Sequence, residues 1–563
     1  MNLFFLQRSP FGLKHHRLLF YSAWLLLAVV QSASTELIAD EAYYWVYSRF
    51  PAWGYFDHPP MIAVLIKSGY ALFNNELGVR LICALLSGFT ILITESLIGK
   101  RNPFLFYTIV LSIGALQMVG FLAVPDTPLL FFTALFFYTY RRFVQKINWQ
   151  NALLLGFSIA LLFYTKYHGL LIVFFTILSN SKLLIRWQTW LAGFFVLLLY
   201  APHLYWQWNH DWMSFRYHLF ESNVSTYKFS YTTEYLLGQL LLAGPLAGFI
   251  LLPAAFIYKP KDQTENALKF TLIGVYFIFL ISSFRGIVET NWTMPALIPL
   301  IVLSHQFIVD KISWIKPLRI LAFISLLLII AGRIYLIVDI GPNNSTKGRF
   351  HYNKTWAKTV AEKTGDLPVV FNNSYQRASM FWFYSGKPSH SHNPYWDRRN
   401  NYNFWPTESN LLGKKVFLAD VYGIYTFSDS VHTKKGWVGL TMDSMYAALG
   451  TIQIIPSKKS IEISKNKKVQ FQCNSRIPYR YRMFLDAVPE LKTEVYAGVF
   501  KGKNLVKEIK TGFTIQQIIP GATFTIPLDF ENLVPGKYVL RLGIRSKNYL
   551  VTHNSENIEL RVQ

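Results

Sequence analysis

Glu36, Asp40, Glu41 and Asp57 place four carboxylates within about two dozen residues, with His58 beside the last of them. Tyr43, Tyr44, Trp45, Tyr47, Trp53 and Tyr55 are interleaved with them. A carboxylate partly withdrawn from water gains proton affinity and becomes a useful base, or two together hold a cation. The segment directly follows an apolar run. Its aromatics alone would suit a membrane interface with solvated charges. An adjacent Asp40–Glu41 pair is costlier to explain that way, because ionisable groups at membrane depth usually belong to a site.

Three further patches carry chemistry. Val124-Pro125-Asp126-Thr127-Pro128 is a tight turn with one carboxylate, which could cap the helix from Pro128 onward or face a pocket. Lys166 lies between two apolar runs, in Phe163-Tyr164-Thr165-Lys166-Tyr167-His168-Gly169, with no carboxylate adjacent in sequence; a phosphate suits such a cation. Arg285 is comparable, followed by Glu289, Asn291 and Trp292, whereas Lys67, Arg80, Arg216 and Arg333 have snorkelling into head groups as their simplest reading. Trp206-Gln207-Trp208-Asn209-His210-Asp211-Trp212 combines ring faces, an amide and an imidazole, which suits a membrane interface or a sugar. His218 or His210 with Asp57 or His58 offers a divalent metal site, without a tight ligand spacing such as HxxxH. Neither a Walker loop nor GxGxxG occurs, so no nucleotide is expected.

The elements that must position these groups are mostly membrane helices. Of 563 residues, 52% are hydrophobic and only 15% charged, which excludes a disordered chain, a coiled coil and an ordinary soluble enzyme. Eleven apolar runs span residues 17–340, the first a retained helix from about Leu18 to Ser32. The runs 151–165 and 169–180 could also be one long helix with a polar break. The net charge of +24 would suit nucleic acid, but its distribution points elsewhere. With the N-terminus inside, the cytoplasmic segments hold 16 of the 24 basic residues before Ile340, whereas 11 of 15 acidic residues fall outside. Basic excess therefore sets orientation, membrane lipids are partners and nucleic acid is not. The two cysteines, Cys83 and Cys473, decide nothing about redox compartment.

The chain beyond Ile340 turns polar and would lie outside the cytoplasm. Residues 341–448 read as an α/β unit, with a helix from Trp356 to Lys363 and strands at 368–371 and 415–418. Residues 449–563 read as an immunoglobulin-like β-sandwich, with strands at Phe524 to Leu528 and Tyr538 to Ile544. Trp382, Tyr395, Trp396, Arg398, Arg399 and Trp405 either contact a glycan or pack the tail, with packing the favoured reading.

The patches taken together, in this order, resemble the GT-C membrane glycosyltransferases that use polyprenyl-phosphate sugars. The resemblance is to the lipid A aminoarabinose transferases and, more distantly, the protein O-mannosyltransferases. Its residues are Asp40-Glu41-Ala42-Tyr43-Tyr44-Trp45 with Gly54-Tyr55-Phe56-Asp57-His58-Pro59-Pro60, then Pro125-Asp126-Thr127-Pro128-Leu129, Lys166-Tyr167, Trp208-Asn209 to Trp212, and Asn291-Trp292 to Pro295-Ala296. It covers residues 17–340 and more loosely 345–445. It implies a polytopic α-helical domain over 1–340 at the cytoplasmic membrane, followed by the two extracytoplasmic domains. It also implies a lipid-linked donor and a glycan, lipid or protein acceptor outside the cytoplasm.

Carried over, Asp40 is the base or acceptor-orienting carboxylate, Glu41 supports it and Asp126 is the second carboxylate of the pocket. Lys166, Arg285, Arg80 and His58 would face donor phosphate. Tyr43, Tyr44, Tyr55, Trp208, Asn209, Glu289, Asn291 and Trp292 would line the sugar and acceptor. Aminoarabinose transferases carry a lysine after an acidic residue before the Pro-Pro pair; His58 after Asp57 replaces it here, which departs from the phosphate-binding pattern and opens a metal role for Asp57-His58, with Asp57 and His218 the candidate ligands. The rival readings are a transporter or lipid flippase, whose charges tend towards the midplane of repeated halves, and a non-catalytic glycan-binding protein.

Overall fold

A computed structural model of the chain describes residues 10–221, 226–340, 345–424, 426–464 and 468–563. Its contacts divide it into one unit ending at His351 and a second running Tyr352–Gln563.

The first unit is helical: α1 Pro10–Ser34, α2 Ala39–Arg49, α3 Met61–Tyr70, α4 Glu76–Leu97, α5 Pro103–Ser112, α6 Gly114–Val119, α7 Asp126–Gln145, α8 Trp149–Thr165, α9 Gly169–Ser179, α10 Trp187–Asn209, α11 Phe229–Leu242, α12 Gly248–Ile257, α13 Gln263–Ser283, α14 Leu297–Asp310 and α15 Ile315–Ile337. Asx residues start several of them. Asn75, Asn102, Asn148 and Asp262 each accept a bond from a backbone N–H three residues on, satisfying a donor the helix itself leaves open.

By length and composition, six helical segments among the described residues can cross a membrane, against the eleven spans expected. The remaining apolar runs form shorter helices or, near Ala134, the more polar α7. The runs 151–165 and 169–180 are two helices, α8 and α9, broken at 166–168. The segment ending in α14 is the central one, with 83% of its apolar window buried against 17% for that ending in α15. Helices approach closely where a side chain is absent: a Cβ on Gly274 of α13 would stand 2.3 Å from the Phe175 ring of α9.

The second unit opens with α16 (Asn353–Thr364), β1 (Val369–Asn372), α17 (Tyr375–Ser385) and β2 (Ser389–His392), followed by β3 (Val416–Asp420), β4 (Asp429–Thr433) and β5 (Gly436–Asp443). They form a mixed sheet in the order β2-β1-β3-β5-β4, with β1 parallel to both β2 and β3. A sandwich follows. One sheet joins β10 (Asn504–Lys510), β9 (Thr493–Lys501), β12 (Gly536–Ser546), β13 (Ile558–Val562) and β7 (Ser460–Ile463); the other joins β11 (Phe524–Asp529), β8 (Lys468–Arg476) and β6 (Gln453–Pro456). Alternate residues of β8 are buried, as a strand with one face on a core requires.

The anticipated boundary at 448 falls inside this unit, since Val370 and Val416 share a core with Ile526 and Leu540. Tyr395 is fully buried on the sandwich, where a Cβ at Gly498 would come within 2.6 Å of its ring. For this residue, packing is what the structure shows.

Strand β2 is unusual in being buried throughout while reading Ser-His-Ser-His. Burial pushes His390 down to about 3 and His392 to about 4. The unfolded imidazoles take up protons near pH 6.5 while the folded ones resist, so the unit loses stability as pH falls from about 6.5 towards 3–4. Each imidazole contributes up to about 1.4 kcal/mol per pH unit in that window. The Glu408 carboxyl, pushed up by burial, works in the opposite direction. The combined change His390→Gln with His392→Gln is expected to flatten the pH dependence. Proteolytic susceptibility of residues 352–563 in the full chain, measured from pH 7 to pH 4, checks this.

Candidate functional site

Helix α2 begins with Asp40 and Glu41 in its first turn, where carboxylates favour the positive end of the helix. The two neighbours meet different surroundings. Asp40 is exposed and Glu41 is completely buried. Glu41 reaches back to the Ile38 N–H at 3.1 Å and takes Arg80 of α4 in a two-pronged pair, Nε to Oε1 at 2.7 Å and Nη2 to Oε2 at 2.5 Å. Arg80, also completely buried, gives its other N–H groups to the carbonyls of Ser32, Thr35 and Glu36. The pair therefore closes the α1–α2 connection onto α4. Arg80 was expected to hold donor phosphate, but with its donors facing these acceptors it is a positioning residue instead.

Glu41 also reaches a third segment: its Oε1 accepts from the Ala123 N–H at 2.8 Å. That amide sits in the turn before α7, which Thr127 tightens through its hydroxyl to the Val119 and Leu122 carbonyls. The turn presents Asp126. Its carboxylate makes no cap; Lys166 Nζ donates to Oδ1 at 2.8 Å and Asn291 Nδ2 to Oδ2 at 2.9 Å. Asp126 and Lys166 are 4% and 5% exposed, which makes this a buried pair. Three distant stretches thus converge. Lys166 is available because α8 stops there in extended backbone before α9 starts at Gly169. Asn291 comes from the 3-10 turn Thr290–Ala296 that leads into α14. The carboxylate partner of Lys166, absent from its sequence neighbourhood, is supplied 40 residues away.

The loop after α2 lies against α10. A Cβ on Gly54 would fall 2.4 Å from the Trp206 ring, so only glycine lets the two approach. His203 Nδ1 donates to the Trp53 carbonyl at 2.6 Å, and Gln207 bonds the Tyr167 and Ser214 hydroxyls at 2.8 and 2.9 Å. Ser214 in turn donates to the Tyr55 carbonyl at 2.8 Å. His203 went unrecognised in the sequence, and Gln207 was noted only as part of the Trp206–Trp212 patch; their i, i+4 spacing on α10 was the available signal. Trp208 and Asn209, expected at the sugar, are exposed and belong to another face of that helix.

Tyr55 is buried, stacked on Tyr47 at 4.0 Å, with its hydroxyl donating to the Tyr47 and Phe50 carbonyls. Tyr43 is buried too, and Tyr44 lies beside the half-buried His58, ring centroids 5.6 Å apart. Arg285 and Glu289 are exposed in the segment between α13 and the Asn291 turn, and the Trp292 ring lies tilted beside that of His168, centroids 6.1 Å apart.

Asp57 and His218 do come together, in an arrangement that does not fit a metal. The Asp57 carboxylate accepts from the Tyr43 and Tyr47 hydroxyls at 3.1 and 3.2 Å, while His218 Nε2 faces the Asp57 carbonyl at 2.8 Å. Among the described residues, no group of three His, Cys, Asp or Glu side chains is set to ligate an ion. The imidazole here braces the loop.

The chain is similar to several known proteins. Residues 57–206 match the family described as dolichyl-phosphate-mannose-protein mannosyltransferase, a span that holds Asp126 and Lys166 and stops short of Asp40 and Asn291. The chain is 22% identical over 439 residues to the lipid A galacturonosyltransferase RgtD of Rhizobium johnstonii, covering 72% of this chain and 90% of that one. Its fold is similar to that of ArnT from Cupriavidus metallidurans. The apo structure gives a TM-score of 0.56 at 14% identity, covering 75% of this chain and 97% of that one. The structure bound to undecaprenyl phosphate gives 0.57 at 13% identity, covering 77% and 98%. The expected GT-C fold and enzyme class, an integral membrane glycosyltransferase, are borne out by these likenesses.

Breaking the Glu41–Arg80 pair from one side leaves a buried charge without its partner. Arg80→Met is expected to destabilise the helical unit by about 3–5 kcal/mol. Arg80→Lys keeps the charge but not the planar fork, so it should fall between that variant and the native chain. Thermal unfolding in detergent orders the three proteins.

Proposed function

We propose that this chain transfers a glycosyl group from a polyprenyl-phosphate sugar to an acceptor outside the cytoplasm. The acceptor hydroxyl oxygen attacks the anomeric carbon from the face opposite the carrier. The C1–O bond breaks, its electron pair stays on the phosphate oxygen, and the configuration inverts. The hydroxyl proton passes to Asp40, the carboxylate of this segment that is exposed to an incoming group. Were the acceptor a phosphate, its oxygen would already be anionic and Asp40 would orient it.

The observation that carries this reading is the buried Asp126–Lys166 pair, joined by Asn291, on a turn fastened to α2 through Glu41. Lys166 has three N–H groups and gives one to Asp126, which fixes the ammonium while leaving donors for the departing polyprenyl phosphate. The exposed Arg285 and half-buried His58 supplement it. Preorganised donors of this kind, aimed at charge that develops in the transition state, contribute a few kcal/mol each. The family match and the undecaprenyl phosphate in the ArnT structure support the donor class, and RgtD supports a lipid A-type acceptor. The chain would sit in the cytoplasmic membrane with its N-terminus inside, as the distribution of basic residues favours.

Asp40→Asn is expected to lower transfer about 10²–10⁴-fold with insertion and melting unchanged. Lys166→Met should lower kcat by about 10²-fold, the loss typical of one preorganised donor. Purified chain with a synthetic polyprenyl-phosphate sugar measures both. Native turnover by Asp40→Asn would remove that carboxylate from the reaction.

A further inference from the structure

Strands β1, β2 and β3 run parallel in the spatial order β2-β1-β3. The chain leaves β1 through α17 to reach β2 on one side, then crosses to β3 on the other. The connections at the carboxyl ends of β1 and β3 therefore diverge, and open α/β sheets take their ligands in the crevice that such a divergence makes. A cavity of about 130 Å³ occupies that place here, lined by residues 373–376, 397, 398, 400 and 422, all from the segments that follow the three parallel strands. From its geometry and lining we infer that it is a binding site for a neutral saccharide.

The walls are cross-braced. Asn373 turns the chain sharply out of β1 with φ at +50°, and its Nδ2 donates to Asp397 Oδ2 at 3.0 Å. Arg398 lies over the Tyr375 ring, 5.1 Å from its centroid, and donates to the Tyr375 hydroxyl at 2.8 Å. Asp420 accepts from the Tyr422 and Gly423 N–H groups at 2.8 and 3.1 Å, which fixes the turn carrying Tyr422. Asn400 is held by the Tyr402 N–H and by Asn393. A crevice whose sides are tied together in this way needs little ordering when a ligand enters.

The chemistry of the lining selects the class. One carboxylate and one guanidinium face the same space, so neither an anion nor a cation finds a field of a single sign. The turn from β1 into α17 reads Asn372-Asn373-Ser374-Tyr375-Gln376, without the glycines that let a phosphate approach backbone N–H groups, which speaks against a nucleotide. Amides, a hydroxyl and two phenol rings both donate and accept hydrogen bonds, as a polyol requires. The exposed Tyr422 ring gives a flat face at the rim on which a sugar ring can lie. Together with the transfer reaction proposed above, the site would engage a glycan of the acceptor; its sugar binding itself does not depend on that reaction.

The test uses the full chain in lipid nanodiscs, free of sugar-based detergent, with neutral disaccharides of glucose, galactose, mannose and N-acetylglucosamine as probes. Saturation-transfer NMR should show at least one of them bound. Tyr422→Ala, at an exposed position, and Gln376→Ala should each weaken that binding at least tenfold without altering the melting temperature. Binding should be undiminished in Asp40→Asn, so a failure of the transfer reading leaves this result standing. No disaccharide bound by the native chain, binding indifferent to both variants, or displacement of the sugar by inorganic phosphate overturns the inference.

Discussion

A carboxylate and a guanidinium, both removed from water, hold the helical unit's functional end together. Glu41 and Arg80 satisfy each other two-fold, and between them they also take two amide N–H groups and three carbonyls, from the α1–α2 connection and from the turn before α7. A buried pair of this kind is weak evidence for net stability, because desolvation offsets most of the attraction. What it supplies is position. The Ala123 amide bonded to Glu41 lies three residues from Asp126, so the Lys166–Asn291 cluster is registered against the start of α2. Asp40 directly precedes Glu41 on that helix.

Two consecutive carboxylates thus divide the labour by environment. Glu41 points inward and is surrounded by donors, whereas Asp40 is exposed on the same helical turn. The same logic separates Lys166 from Arg80. Each is a buried cation facing a buried carboxylate, but Arg80 meets acceptors with both arms of its fork, and Lys166 gives Asp126 one of three donors. Asp57 adds a third solution: its carboxylate faces two tyrosines of α2 and its carbonyl faces His218, so the loop considered as a metal ligand is tied to protein partners on both sides.

Much of this was legible in the residues. The helix-then-strand organisation follows from hydropathy and turn chemistry, and the predicted helix and strands after residue 345 all coincide with observed elements, the strands at 368–371 and 415–418 starting one residue early. Asp126 and Lys166 stood out because a charge in an apolar run demands a partner, but which partner is a tertiary fact: 40 residues separate them, and Asn291 is 165 residues from Asp126. Arg80 was misread because its sequence neighbourhood is apolar, which suits snorkelling, phosphate binding and a buried pair equally. The six crossing segments, against eleven apolar runs, reflect helices that stop short, as at Lys166 where the backbone opens to present a side chain. Trp208 and Asn209 share a segment with Gln207, yet one helical step turns them away.

If the buried pair acts by positioning, replacing both partners at once should spare the fold and cost turnover. Glu41→Leu combined with Arg80→Met removes the charges together and leaves an apolar contact of similar bulk, which need not destabilise the fold. The measurement is glycosyl transfer by this double variant from a synthetic polyprenyl-phosphate sugar, beside its melting temperature. The expected result is a folded protein whose kcat is reduced about 10²-fold, the scale expected when reacting groups shift by about 1 Å. A folded double variant with native turnover would contradict it.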